Sequence, residues 1–495
     1  MQFTGTRAKS NIESAKAICQ GISAEGGLFV PKTFPILSQE VLEKMEDMSY
    51  KERAFEVLRL YLTDFTDEEI MYCVSGAYDD TFDNNDPAPI VEVKSGENIL
   101  ELWHGPTCAF KDMALQLLPY LLTTSAKKVA QGKTMVILVA TSGDTGKAAL
   151  DGFADVENTK IIVFYPEDGV SPMQKLQMQT QAGANVKVCA IKGNFDDAQT
   201  GVKVIFTDDE IKEKLANNNM EFSSANSINF GRLVPQIVYY VSSYVDLVKT
   251  GKIQKGEKFN VVVPTGNFGN ILAAYYAKQM GVPVGKLICA SNKNNILTDF
   301  IKTGTYDKNR DFYTTTSPSM DILISSNLER LLFELYDKDE TKVAKLMDEL
   351  KQNGVYTIEE DVKQKLEAEF FGGCCDDEGT KATIAKMFNE YNYLCDTHTA
   401  VAVNVYDQYV EETGDTTPTV IASTASPYKF AASVLPAVYE GELPADEFSM
   451  VEKLSSVTST PIPTPLKSLQ DKEVLHTSCI DKKDMAQFIT EYLGC

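Results

Sequence analysis

A chain of 495 residues is longer than one hydrophobic core usually organises, and 43% hydrophobic content is ordinary for a globular protein, so two or three domains are expected. Its 47 Lys and Arg against 70 Asp and Glu leave a net charge of −23, a field that repels nucleic acid and anionic membrane surfaces and excludes both as partners. The longest aliphatic runs fall far short of the roughly 20 residues a membrane helix needs, and the ten Cys and three His (His104, His398, His476) lack the C-x-x-C or HExxH spacing of a metal site.

Residues 1–16 lack a basic region followed by an apolar stretch, so no secretory signal is read and a cytoplasmic location with free thiols is expected. The first part of the chain, to about residue 89, mixes short helical patterns such as 41–48 with an acidic connection at 78–89 that holds Asp79, Asp80, Asp83 and Asp86. A domain boundary fits there. From Ile90 onward β-rich runs at 90–93, 99–103, 134–141, 160–165, 186–191, 260–264, 286–291 and 419–423 alternate with helical segments such as 270–280 and 326–350. That alternation predicts an α/β fold with mostly parallel strands, divided into residues 1–89, 90–235 and 236–495. The charged stretch 337–376, which ends near the adjacent Cys374 and Cys375, reads as a solvated helical insertion. A monomer is the expected state.

In open α/β sheets ligands collect where strands run into turns at their carboxyl ends, so four such turns are the candidates. At 264–270 the sequence Pro-Thr-Gly-Asn-Phe-Gly-Asn leads into a helix; Gly266 and Gly269 allow a sharp turn whose amides, beside a helix N-terminus, form a phosphate cradle. Alone it is equally a plain strand-to-helix connection. At 140–147, Thr141, Ser142, Asp144 and Thr145 offer hydroxyls and amides to a carboxylate or phosphate, or simply cap a helix. It is not a Walker A loop, which would need Gly at Thr141 and Ser or Thr at Ala148. At 103–113, Lys111 stands between Phe110 and Met113 at the entry to an apolar helix, where an unpaired ammonium is expensive. Most lysines are surface groups, but a desolvated one has a lowered pKa and is a nucleophile toward aldehydes. At 423–430, Thr424 offers a hydroxyl and Lys429 a cation.

Together these segments resemble the threonine synthases, members of the fold type II class of pyridoxal-phosphate enzymes related to the tryptophan synthase β subunit. The resemblance runs nearly the whole chain, with Gly5-Thr6-Arg7 and Ala24 to Pro31 similar to the family's N-terminal domain and Ser317 to Ile322 with Ser326 to Arg330 similar to a later segment. It implies two open, mostly parallel sheets behind a small N-terminal α+β domain. It further implies that Lys111 carries pyridoxal 5'-phosphate as a Schiff base, that Gly266, Asn267, Phe268 and Asn270 hold the cofactor phosphate, and that Thr424 lies near the pyridine nitrogen. O-phospho-L-homoserine is the implied substrate, losing phosphate from Cγ and gaining water at Cβ to give threonine. Thr141, Ser142, Asp144 and Thr145 are then expected at the substrate carboxylate, through amides and hydroxyls rather than the Asp144 carboxylate itself, and Lys429 at the substrate phosphate. The chain departs from the family at Ser426, where His is usual, and at Asn295 and Asp299, where Asp and Arg are usual. Rival readings are a threonine dehydratase or phospho-lyase on the same cofactor, a non-catalytic sensor, and an ATP-binding protein.

Overall fold

The computed structural model describes every residue but Asn85, Gln131, Ser142 and Gly169, and the side chains of all described residues but Phe195 and Asp196. The apolar runs form the central strands of two sheets. One has six strands in the order Phe370–Cys374, Val284–Ser291, Phe259–Pro264, Thr419–Ser423, Glu97–Glu101 and Ile90–Lys94, all parallel except the last pair. The other has five parallel strands in the order Cys479–Asp481, Val186–Lys192, Thr159–Pro166, Thr134–Ala140 and Met220–Ser223. Helices cover both faces, so these strands read as unbroken apolar runs rather than alternating ones. Val261 and Val263 enter one core while Val262, between them, enters another. Ile137 and Val139 likewise point one way, and Val136 and Leu138 the other. Each aliphatic side chain buried like this contributes about 1.5–3 kcal/mol over leaving it exposed.

The sheets do not follow the expected division after residue 235. That cut falls inside the helix Phe230–Lys249, whose side chains are buried almost without exception and share one core with the N-terminal segment and both sheets. The strand Glu97–Glu101 pairs with Thr419–Ser423, Ile99 opposite Ile421, and Cys479–Asp481 crosses back to extend the earlier sheet. Two further expectations are corrected. The helical pattern at 326–350 breaks into Leu328–Leu335 and Glu340–Asn353, because Asp337 and Lys338 adopt positive φ between them. The charged insertion contains helices but ends in the edge strand Phe370–Cys374, so it completes a sheet rather than standing in solvent.

The N-terminal segment builds its own antiparallel sheet from Ile12–Glu13, Gln2–Gly5 and Phe29–Pro31. Two helices follow, Tyr50–Tyr61 and Asp67–Tyr78, each opened by a capping box, Ser49 with Glu52 and Thr66 with Glu69. Buried polar groups lock this segment onto the helix Leu328–Leu335. Glu329 accepts from Arg7 Nε and Nη2 at 2.8 and 2.7 Å. Arg330, fully buried, donates to the Phe29 and Ile228 carbonyls at 3.0 and 2.6 Å. No described helix is long and apolar enough to cross a membrane.

Candidate active site

Lys111 sits one residue before the short helix Asp112–Leu115, on the turn that follows the strand Glu97–Glu101. Asp112 shapes this turn by accepting from the Thr107 amide at 2.9 Å and the Thr107 hydroxyl at 2.6 Å. Burial raises its carboxyl to about 6 against those two bonds. The turn is sewn to the neighbouring one: the Phe110 amide donates to the Thr424 carbonyl at 2.8 Å, and Ala109 bridges Ala425. Lys111 is 9% exposed. Its amine donates to Ser319 Oγ at 3.2 Å, lies 3.6 Å from Asp144 Oδ2 and sits 5.2 Å from the Phe110 ring centre. Burial lowers its pKa, helped by the charges of Lys429 and Arg232 and opposed by Asp144.

Asp144 opens the helix Asp144–Phe153 at the end of the strand Thr134–Ala140. Its carboxylate accepts from Lys429 Nζ at 2.8 Å and Gln174 Nε2 at 3.0 Å. Burial would raise this carboxyl, but Lys429 and Lys111 hold it well below the usual carboxylate range. It therefore serves as counter-ion to two buried amines and is not a bare charge facing a ligand. Thr141, expected at a substrate carboxylate, is turned inward: its hydroxyl accepts from the Gly143 and Gly146 amides at 3.0 and 2.9 Å and is consumed in shaping the turn. Thr145 is half-buried, and Ser142 lies outside the described residues. Lys429 is 1% exposed and divides its donors between Asp144 and the Thr107 carbonyl at 2.8 Å. It ties the three turns together.

The phosphate-cradle turn leaves the strand Phe259–Pro264 and enters the helix Gly269–Gln279 through Phe268 in the left-handed conformation, φ 62°. The Phe268 ring is buried in the core while its backbone makes the bend, and the Asn267 side chain is exposed. Asn327 holds the loop by donating to the Asn267 carbonyl from its amide and Nδ2, both at 3.0 Å. Asn270 Oδ1 accepts from Tyr239 at 2.9 Å and from Tyr240, both on the helix Phe230–Lys249. Asn270 Nδ2 is buried without a partner among the described residues. Gly266 leaves no room for a side chain, since a Cβ there would stand 2.4 Å from the Ser319 carbonyl oxygen. We expect Gly266→Ala to displace these amides, weakening cofactor uptake on the order of tenfold or more, as overpacking does. Absorbance titration with pyridoxal phosphate measures it, and wild-type affinity would remove the loop from the site.

Several residues here escape sequence reasoning. Arg232 is buried, donates to the Ala225 carbonyl at 2.6 Å, and has its Nε unpartnered among the described residues; burial lowers it to about 10. Ser319 lies in a segment that resembles the family but carries no role of its own in the sequence, and His398 in one whose local signal is an Asp-capped helix start. Of the departing residues, Asp299 pairs with Arg310 at 2.8 Å, Asn295 Oδ1 accepts from the same guanidinium at 3.3 Å, and Ser426 caps the turn that carries Lys429.

A family profile described as the threonine synthase N terminus matches residues 2–78, one of pyridoxal-phosphate dependent enzymes residues 89–351, and one of the threonine synthase C-terminal region residues 399–488. The chain is 40% identical to human threonine synthase-like 1 over 90% of its own length and 61% of that protein's, so it spans about three fifths of such relatives. It is 36% identical to the threonine synthase of Schizosaccharomyces pombe over 88% of each chain. A pyridoxal-phosphate-bound threonine synthase from Brucella melitensis superposes with a TM-score of 0.88 at 35% identity, covering 100% of this chain and 98% of that one. With three profiles in order, sequence likeness over most of the chain and structural likeness over all of it, the chain belongs to the threonine synthase family of fold type II pyridoxal-phosphate-dependent enzymes.

Proposed function

We propose that this chain converts O-phospho-L-homoserine and water to L-threonine and phosphate. The observation that carries the reading is the Lys111 amine, kept from bulk water with a lowered pKa, between a counter-ion and a hydroxyl. The residues fit the cofactor. The unspent amide donor of Asn270, oriented by two tyrosines, suits an oxygen of a polar ring or phosphate, and the backbone of Gly266, Asn267 and Phe268 suits a phosphate at a helix N-terminus. Thr424, buried at the end of a strand, supplies a neutral group for the ring nitrogen. When bound, pyridoxal phosphate supplies the electron sink for charge developing at the substrate Cα.

Lys111, once its amine is free, removes the Cα proton and returns protons to neighbouring carbons; burial favours its uncharged form, the one that acts as a base. Asp144 compensates the ammonium that forms, and the short lever from Lys429 holds Asp144 in place. For the substrate's anionic groups we assign the Asp144 and Thr145 amides, at the N-terminus of the helix Asp144–Phe153, to the carboxylate. The phosphate falls to the remaining donor of Lys429 with the unpaired guanidinium edge of Arg232. We assign the active unit as a monomer in the cytoplasm, a reducing compartment in which the ten free cysteines would stay as thiols.

A second reading, elimination to a 2-oxo acid and ammonia, is favoured by Ser426, Asn295 and Asp299, which remove a His and an Arg from the family pattern and leave Arg310 neutralised by Asp299. The purified protein with phosphohomoserine decides. Threonine and phosphate in equal amounts, with a changed cofactor absorption band, are expected. Oxo acid with ammonia in place of threonine would establish the second reading.

A further inference from the structure

Ser319 is gripped on three sides. Its hydroxyl accepts from the Lys111 amine at 3.2 Å. Its carbonyl packs so closely on Gly266 that no Cβ fits between them. Its amide donates to His398 Nε2 at 3.1 Å. His398 must then carry its proton on Nδ1, which faces Asp396 Oδ2 at 2.6 Å. Asp396 is fully buried and also accepts from the His398 and Thr399 amides, capping the helix Thr397–Thr413. The imidazole, 2% exposed, is wedged edge-on against Phe430, one residue past Lys429.

A helix cap needs only the Asp396 carboxylate. The imidazole donates to that carboxylate from Nδ1, and its second nitrogen spends its lone pair on a turn from elsewhere in the chain, the turn that meets both the reactive amine and the phosphate loop. We propose that Ser319 is a further catalytic residue that fixes the Lys111 amine, and that His398 and Asp396 are positioning residues that hold Ser319 against it. The proposal rests on the reading of Lys111 as the reacting amine and deepens it. A lysine side chain released from the cofactor regains four rotatable bonds. A fixed acceptor on one side and Asp144 on the other keep Nζ where proton transfer is geometrically possible. The other charges facing Nζ are those of Asp144, Lys429 and Arg232; Ser319→Ala removes none of them, so a shift of the amine in that variant reports Ser319 itself.

The test uses the full chain, freed of cofactor and then given pyridoxal phosphate, with uptake rate measured against pH and kcat and KM measured after loading. Ser319→Ala should lower kcat about tenfold, the value of one hydrogen bond to a charged group, with KM little changed. Because an acceptor stabilising the ammonium is lost, the uptake midpoint should move to lower pH. His398→Leu should reproduce both effects. His398→Gln, whose Oε1 reaches the place of Nε2, should restore them to near wild type. If His398→Leu does not fold, His398→Asn, too short to reach the amide, takes its place. A wild-type kcat and midpoint in Ser319→Ala would overturn the role of Ser319. A folded His398→Leu or His398→Asn that behaves as wild type, or a His398→Gln as impaired as Ser319→Ala, would overturn the coupling. A wild-type chain that takes up no pyridoxal phosphate would instead sink the functional reading, an outcome distinct from all of these.

Discussion

Lys111→Ala is expected to lower turnover of phosphohomoserine by at least about 10³, because one substitution removes both the covalent anchor and the proton carrier, whose acid–base role alone is worth roughly 10²–10⁴. The fold should survive, since Asp144 keeps Lys429 at 2.8 Å and no buried charge is left unpaired. Lys111→Arg should be equally inactive: a guanidinium keeps its proton near neutral pH and does not condense with an aldehyde. Borohydride reduction of the wild-type protein followed by peptide mapping should place the pyridoxyl label on Lys111. A label on Lys429 or Lys147, the other buried lysines, would end the assignment.

The second large effect is on stability and on pH dependence together. Lys429→Met strips a fully buried cation from Asp144 and from the Thr107 carbonyl. Breaking a buried pair by removing one partner costs about 3–5 kcal/mol, so the thermal midpoint should fall by several degrees in a fluorescence melt. The sign of the pH effects follows from the charges. The Asp144 carboxyl, held below its unfolded value, contributes stability that is present above about pH 4 and is lost only as pH falls below that. Lys429→Met weakens this contribution, so the variant should lose most relative to wild type at neutral pH and least in acid. Lys429 also depresses the Lys111 pKa, so its removal should shift the rising limb of the pH–rate profile to higher pH. An unchanged limb with an unchanged melt would show that the ion pair is absent in solution. A raised KM for the phosphorylated substrate is expected beside the lower melt, from loss of the Lys429 donor assigned to the phosphate, and an unchanged KM would withdraw that assignment.

The departures from the family pattern are less consequential than their spacing in sequence suggests. Ser426 keeps a structural task, accepting from the Tyr428 amide at 3.4 Å at the head of the turn that delivers Lys429. Asp299, which reverses the usual charge, is answered by Arg310 from the following loop. The pair leaves the Arg310 cation engaged, so product identity is the measurement that bears on this departure.

What sequence determined by itself was local. Strands such as Thr134–Ala140 and Phe259–Pro264 are legible because burial on both faces demands an unbroken β-branched run closed by a Gly or Thr turn. The buried position of Lys111 and the sharp turn at 266–270 are legible too, as a charge at a core entrance and a pair of glycines, while a cofactor role for either rests on the family resemblance of the segments together. The edge strand Phe370–Cys374 was not, since its Gly372 and Gly373 give no β signal and only pairing with Val284–Ser291 stabilises it. The break at Asp337 and Lys338 was not either, since it rests on two residues in the left-handed region that the helical periodicity of 326–350 does not signal. Above all, tertiary structure decided which groups meet. Asp144 is paired by a lysine 285 positions later, the carbonyl of Thr107 by the same lysine 322 positions away, and the Ser319 amide by a histidine 79 away. Hydrophobic periodicity has a reach of a few residues, whereas the partner of a buried charge is chosen by which strand ends the sheets bring to one edge, and no local pattern encodes that choice.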